Sequence, residues 1–179
     1  MKTRLLGAAV ALLLAVAGAM PGARADDGDL VSAYVGAYDM MTSPHPAGMF
    51  GAEYRPDWPL LWVVKPFGGG FVTTDASVYG YAGLLGDIDL GALFGGTAGR
   101  IILTPNAAIG AFGQGDAPKD LGSVLEFRSG GEITYRFDSG LRLGVTFHHM
   151  SNAGVGDKNP GAEMTSVIMV VPTKSLFGP

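Results

Sequence analysis

Residues 125–138 alternate between apolar and polar side chains with a period of two, and this pattern restricts the possible folds more than any other feature of the chain. One face would carry Leu125, Phe127, Ile133, Tyr135 and Phe137, and the other Glu126, Arg128, Glu132, Thr134, Arg136 and Asp138. Successive side chains of a β-strand point to opposite faces of the sheet, so the pattern predicts a strand with one apolar and one charged face. A soluble sandwich and a membrane barrel both accept such a strand.

The same division recurs at residues 50–55 and 77–90, which also separate apolar from polar or charged side chains. The chain contains 29 Gly and is 47% apolar, which is too hydrophobic for disorder and too rich in glycine for a helical bundle. An open sheet has to protect its edges, whereas a closed sheet has none. These observations predict an all-β fold, an eight-stranded antiparallel transmembrane β-barrel, whose charged faces form a network in the lumen.

Eight strands are predicted, at residues 30–38, 49–55, 60–73, 76–90, 100–112, 121–138, 140–150 and 163–171. Pro66 and Gly68-Gly69-Gly70 interrupt the third, so it is either one bulged strand or two short strands. Residues 138–140 form a tight turn, and residues 114–119 and 152–162 form longer loops.

The N-terminus predicts export. Residues 1–25 have a short basic start, an apolar run and Ala23-Arg24-Ala25 before two aspartates, which is typical of a cleaved secretory signal. The alternative, a membrane anchor, is disfavoured because the run is shorter than the roughly 20 residues that span a bilayer. Residues 26–179 would then be one barrel domain. Losing three of the twelve basic residues leaves nine against sixteen acidic ones, a net charge of −7 that disfavours nucleic acid as a partner.

A candidate nucleophile and base lie at the end of the predicted strand 140–150. Residues i and i+2 share a face of a strand, so His149 and Ser151 would be about 6 to 7 Å apart at the backbone, within reach of each other's side chains. A serine hydroxyl becomes a useful nucleophile when a neighbouring base takes its proton and a third group orients that base. Glu163, at the start of the next predicted strand, can supply that third group.

Parity predicts that this pair faces lipid. Leu141, Leu143, Val145 and Phe147 form the apolar stripe of the strand, and His149 and Ser151 continue it, whereas His148 points into the lumen. Short turns of such barrels lie on the periplasmic side, so a strand that leaves the 138–140 turn ends near the outer leaflet. Polar groups in hydrocarbon must be paired. The position therefore suggests attack on an ester that is already embedded in the membrane.

These residues also carry a family resemblance. The sequence His149-Met150-Ser151-Asn152-Ala153-Gly154, the Asn159-Pro160-Gly161 ahead of Glu163, and the strand 140–147 resemble the lipid A 3-O-deacylase (PagL) family. The resemblance implies an eight-stranded outer-membrane barrel that removes the ester-linked 3-hydroxyacyl chain at position 3 of lipid A. It is strong from residue 121 onward and only architectural before that.

The resemblance also implies roles for single residues. Ser151 would be the nucleophile, His149 the general base and then acid, and Glu163 the carboxylate that orients His149. The oxyanion would be held by Asn152 and by backbone N–H groups near Ala153 and Gly154. No cofactor and no metal is implied. The implied partners are lipid A or lipopolysaccharide and the lipids of the outer membrane, and a homodimer stays open.

Three alternatives remain at this level. Asp157 could orient the base in place of Glu163, although it lies in mid-loop beside Lys158. The chain could be a catalytically silent barrel with a structural or adhesion role, in which the His, Ser and Glu are incidental. It could also be a soluble exported sandwich, whose apolar faces would pack inward.

Overall fold

A computed structural model of the chain describes residues 28–60, 64–90 and 100–178. The predicted signal, residues 1–25, lies outside these ranges. No helix within them is long and apolar enough to cross a membrane.

The sheet closes on itself through antiparallel pairings. Its strands are β1 (Leu30–Tyr38), β2 (Ala47–Arg55), β3 (Val64–Thr73), β4 (Val78–Gly86), β5 (Ile88–Asp89), β6 (Ile101–Gly113), β7 (Leu125–Arg136), β8 (Arg142–Ser151) and β9 (Ala162–Pro172), followed by a short helix, Thr173–Phe177. Apart from β4 and β5, neighbours in sequence pair with each other, β1 pairs with β9, and β4 pairs with β6 to complete the ring. The two-residue β5 continues β4 along the same neighbour, β6, so the barrel wall has eight strands, as predicted.

The break between β4 and β5 differs from the single predicted strand 76–90. Leu85 pairs with Asn106 and Ile88 pairs with Leu103, so the register is the same on both sides of the break. Pro105 lies opposite the gap, and it has no N–H to donate to the ladder. Asp87, in the gap, accepts hydrogen bonds from Thr104 and Arg142 at 2.6 and 2.9 Å. The interruption therefore comes from the neighbouring strand.

The other strands differ from prediction mainly at their ends. Residues 61–63 of the third predicted strand lie outside the described ranges. Its described part, β3, is one continuous element, because Pro66 and the three glycines all pair with β4 in an unbroken register. The predicted sixth strand was too long at its start, since β7 begins at Leu125 and residues 121–124 belong to the preceding loop. We call the end of the barrel where β1 begins and β9 ends, together with the 138–140 turn, the turn end. The opposite end is the loop end.

Charged side chains fill the lumen. Arg55 bridges Glu53 and Glu132, both at 2.6 Å, and Arg128 reaches the other oxygen of Glu53 at 2.8 Å. Tyr81 donates a hydrogen bond to the same oxygen of Glu53 at 2.6 Å, and its ring lies 4.1 Å from the Arg128 guanidinium carbon. These five side chains are buried. The predicted charge network is thus a packed core that rigidifies the barrel, and buried charges of this kind require such mutual pairing.

Apolar side chains cover the outer wall. Those most open on the outside include Tyr54, Val72, Val78, Leu84, Ile109, Ile133, Val145, Phe147 and Val167. A soluble sandwich would place these faces inward and its charges in water. The chain has the reverse arrangement, which is that of a membrane barrel.

Loss of the central carboxylate should weaken the barrel. Glu53→Leu leaves Arg128 buried without a carboxylate partner and Arg55 with one, so we expect a destabilisation of about 3–5 kcal/mol. Urea unfolding in detergent micelles, followed by tryptophan fluorescence, measures it. Asp138→Asn, which breaks the exposed pair between Arg100 and Asp138, is the control and should leave the unfolding midpoint unchanged. Equal midpoints for the two variants would contradict this account of the lumen.

Candidate active site

The outward side of β8 places His149 and Ser151 on the lipid-facing wall. Val145 and Phe147 on the same side are 57% and 50% exposed, and the side chain of His149 is 47% exposed. His148 points the other way, is buried in the lumen and lies 3.1 Å from Asn106 Oδ1. The parity prediction is confirmed for all three polar residues of this strand end.

Glu163 lies directly across from His149 in the β8–β9 pairing. The imidazole Nδ1 and the carboxylate Oε1 are 3.2 Å apart, within hydrogen-bond distance. A hydrogen bond at Nδ1 fixes the imidazole tautomer, because it leaves the lone pair on Nε2. Asp157, the alternative carboxylate, is exposed in the loop and makes no bond to His149 in the described part of the chain.

Ser151 is the last residue of β8. It lies on the same face as His149, two residues further toward the loop end. It is partly buried, and its hydroxyl has no hydrogen-bond partner among residues 28–60, 64–90 and 100–178. In enzymes without substrate the bond between nucleophile and base is often not yet formed. Hydroxyl, imidazole and carboxylate thus share one outer face, and of the two hydrogen bonds that could join them the structure shows the one between His149 and Glu163.

The turn after Ser151 is held by the side chain of Asn152, which is fully buried. Its Nδ2 donates to the carbonyls of Leu121 and Lys158 at 2.8 and 2.7 Å, and its Oδ1 accepts from the Gly154 N–H at 2.9 Å. All of its amide hydrogens are therefore used. This differs from the predicted oxyanion role of Asn152, because in this conformation the side chain shapes the turn.

The backbone N–H groups of Ala153 and Gly154, the other predicted oxyanion donors, differ in whether they are already hydrogen-bonded. The Gly154 N–H is taken by Asn152, whereas the Ala153 N–H has no partner within the described ranges. Ala153 and Gly154 have positive φ angles of 54° and 79°, a conformation in which the peptide groups turn sharply. Of the three predicted residues, Ala153 is the one whose N–H is left open.

Two further residues contribute to this site, although the sequence predicted no individual function for either. Asn159 accepts the backbone N–H of Asn152 through Oδ1 at 3.0 Å, which leaves its NH₂ group without a partner in the described chain. Gly161 lies against the imidazole, since a β-carbon there would be 2.8 Å from Cε1 of His149. Both belong to the Asn-Pro-Gly sequence whose only signal was the family resemblance.

A mainly apolar groove of about 290 Å³ lies on the outer wall, on the turn-end side of this cluster. It is lined by Val35, Gly36, Ala37, Val145, Thr165, Ser166 and Val167. On the outward face, the pairs that follow His149 and Glu163 are Phe147 with Thr165 and then Val145 with Val167, so the groove starts about one outward-facing pair from His149 and Glu163. A chain of methylene groups is the kind of ligand that such a surface binds.

The family model of lipid A 3-O-deacylase (PagL) matches residues 48–172, which include the whole cluster. The chain belongs to the lipid A 3-O-deacylase (PagL) family. As a PagL family member it is a carboxylic ester hydrolase that acts on lipid A. The search of curated proteins finds no match.

The crystal structure of the outer membrane enzyme PagL resembles the chain with a TM-score of 0.61 at 22% identity, and the match covers 80% of this chain and 99% of that one. At this identity the likeness shows the fold. The PagL barrel and the present one therefore share their architecture, and the predicted fold class is confirmed.

The role of the Asn152 side chain in holding the turn after Ser151 can be tested by substitution in this PagL family chain. Asn152→Asp puts an oxygen where an NH₂ group now faces two carbonyls, so the turn should open and trypsin should cleave after Lys158 faster than in the wild type. Asn159→Asp makes the same chemical change, but it keeps the oxygen that the structure uses and should leave cleavage unchanged. Mass spectrometry of timed digests measures both. Similar rates for the two variants would refute the assignment.

Proposed function

We propose that the chain is an outer-membrane serine esterase that removes the ester-linked 3-hydroxyacyl chain at position 3 of lipid A. The observation that carries the proposal is the His149–Glu163 pair on the lipid-facing wall, with the Ser151 hydroxyl on the same face. Ionisable groups that face hydrocarbon are costly without a function. Their position suits a substrate whose ester lies at the boundary of the membrane.

The proposed reaction has two halves. Ser151 Oγ attacks the ester carbonyl while Nε2 of His149 takes its proton, and Glu163 stabilises the imidazolium through Nδ1. The tetrahedral intermediate collapses, the sugar oxygen leaves with the proton from His149, and the acyl chain stays on Ser151. A water molecule, deprotonated by His149, then attacks the acyl-enzyme, the bond between the acyl carbon and Ser151 Oγ breaks, and Oγ takes the proton back from His149. The products are a free 3-hydroxy fatty acid and lipid A with a free 3-hydroxyl.

The oxyanion would develop beside the turn 152–154. We assign it to the N–H of Ala153 and the side-chain NH₂ of Asn159, because the donors of Asn152 and Gly154 are engaged within the turn. Asn152 and Gly154 then contribute by holding the turn in shape. One such donor contributes about 10²- to 10³-fold to the catalytic rate.

The groove on the outer wall would hold the chain that is removed. Its apolar lining starts about one residue pair from the His149–Glu163 pair and runs toward the middle of the membrane. An acyl chain in the groove would place its ester at the triad. All of these groups lie on one chain, so the chemistry requires no second copy.

Export and orientation complete the proposal. Residues 1–25 would direct the chain out of the cytoplasm, and residues 26–179 would insert as the barrel. The similar PagL structure is that of an outer membrane enzyme, which supports the same location here. With the turn end on the periplasmic side, the triad lies near the outer leaflet.

Removal of the nucleophile should abolish the reaction. Ser151→Ala, inserted as a folded barrel, is expected to leave lipid A fully acylated, and Ser139→Ala in the turn at the opposite end is expected to act like the wild type. Mass spectrometry of lipid A and of released fatty acid measures both. Deacylation by Ser151→Ala would refute the nucleophile. Intact lipid A with the folded wild-type protein would favour the catalytically silent barrel.

The choice between the two carboxylates can be tested separately. Glu163→Gln keeps the shape of the side chain but cannot stabilise the imidazolium, so kcat should fall by up to about 10⁴-fold. Asp157→Asn should leave kcat unchanged, because Asp157 does not contact His149. Initial rates of fatty acid release measure both variants. The reverse result would make Asp157 the orienting acid.

A further inference from the structure

The side chain of Lys119 joins three loops beside the triad. It belongs to the β6–β7 loop (residues 114–124), and its ammonium donates to Asp39 Oδ1 at 2.7 Å, Thr42 Oγ1 at 2.5 Å and the Gly161 carbonyl at 2.7 Å. Asp39 and Thr42 lie in the β1–β2 loop (residues 39–46), and Gly161 ends the β8–β9 loop (residues 152–161). An ammonium has three hydrogens, so all its donors are used.

The Gly161 peptide is the surface on which the His149 ring rests. A β-carbon at Gly161 would be 2.8 Å from Cε1 and 3.3 Å from Nε2 of the imidazole, closer than side chains normally approach. Gly161 has a positive φ of 64°, a conformation that glycine adopts without strain and that residues with a side chain rarely adopt. Lys119 holds the Gly161 carbonyl and thereby fixes the backbone against which the imidazole packs.

The β1–β2 loop and the β6–β7 loop, which Lys119 joins, also support the other members of the triad. The Met40 N–H, next to Asp39, donates to the backbone carbonyl of Glu163 at 3.1 Å. The Leu121 carbonyl, two residues from Lys119, accepts the Asn152 side chain that shapes the turn after Ser151. Base, carboxylate and nucleophile therefore all rest on segments that the ion pair of Lys119 and Asp39 connects.

The pair is placed where it can hold its geometry. Asp39 is buried, and the side chain of Lys119 is 23% exposed, so the contact is largely shielded from water. Thr42 also donates to Asp39 Oδ1, which anchors the carboxylate on its own loop. Charged hydrogen bonds in such surroundings are stronger and more directional than those at an open surface.

We propose that Lys119, fixed by Asp39, is a positioning residue for deacylation. It holds the Gly161 peptide so that the imidazole of His149 stays between Ser151 and Glu163. The inference rests on the proposed serine mechanism and adds a residue that acts through His149. Because Lys119 is not part of the acyl groove, its loss should affect the chemical step more than substrate binding.

The central test is Lys119→Met, which removes the charge and keeps most of the stem. A misplacement of about 1 Å can cost about 10²-fold in rate, so we expect kcat to fall by about 10²-fold with KM unchanged. Lys119→Arg should recover part of the loss, because a guanidinium can still pair with Asp39. Rates are measured on lipid A in mixed micelles, and the heat-modifiable gel mobility of the barrel reports folding.

The matched control is Lys65→Met at the turn end. The Lys65 side chain is 18% exposed and pairs with Asp57 at 2.6 Å, so the substitution removes a comparable ion pair far from the triad. Its kcat and KM should equal those of the wild type. A loss of kcat in both variants would mean that any broken ion pair has this effect, and it would overturn the proposal.

The remaining outcomes are also decisive. Wild-type kcat in a folded Lys119→Met barrel overturns the proposal, as does a rise in KM at constant kcat. If Lys119→Met does not fold, Asp39→Asn is the deciding variant, because it removes the charge that pairs with the Lys119 ammonium and leaves the other two acceptors in place. A lower kcat in Asp39→Asn supports the role of Lys119, and an unchanged kcat overturns it. Activity in Ser151→Ala would refute the mechanism itself, so the two failures can be told apart.

Discussion

The structure depends on the requirement that backbone and charged groups find partners within the chain when hydrocarbon surrounds it. A closed antiparallel sheet satisfies the backbone, and the ion pairs of Glu53, Arg55, Arg128 and Glu132 satisfy the charges inside. Once the lumen takes the charged face of each strand, the opposite face must be apolar. A polar side chain on the outer face, such as that of His149 or Ser151, is then a candidate for a function in the membrane.

Much of this architecture could be predicted from the sequence because strand parity is a local property. The alternation in residues 125–138 and 140–150 placed the faces of β7 and β8 correctly, including the opposite directions of His148 and His149. The break between β4 and β5 was not predicted, because its cause, Pro105, lies on another strand. Its effect depends on a register that the sequence does not reveal.

In the candidate site, too, the features that follow from strand geometry could be predicted and the contacts between loops could not. The spacing of His149 and Ser151 and the position of Glu163 could be recognised because they follow from strand geometry and a short motif. The hydrogen bonds by which Asn152 holds the turn could not be predicted, since its partners Leu121 and Lys158 come from loops without periodicity. The contacts of Lys119 and Gly161 could not be predicted for the same reason. They join three loops, and neither residue type indicates such a contact in a sequence.

The outward position of the His149–Glu163 pair has a kinetic consequence. If ester cleavage takes place on the outer wall, the substrate approaches by lateral diffusion within the leaflet, and the freed fatty acid departs by the same route. Occupancy of the groove is then set by the mole fraction of substrate among the surrounding lipids. Bystander lipids would act as diluents of this enzyme, in the way that added water dilutes the substrate of a soluble one.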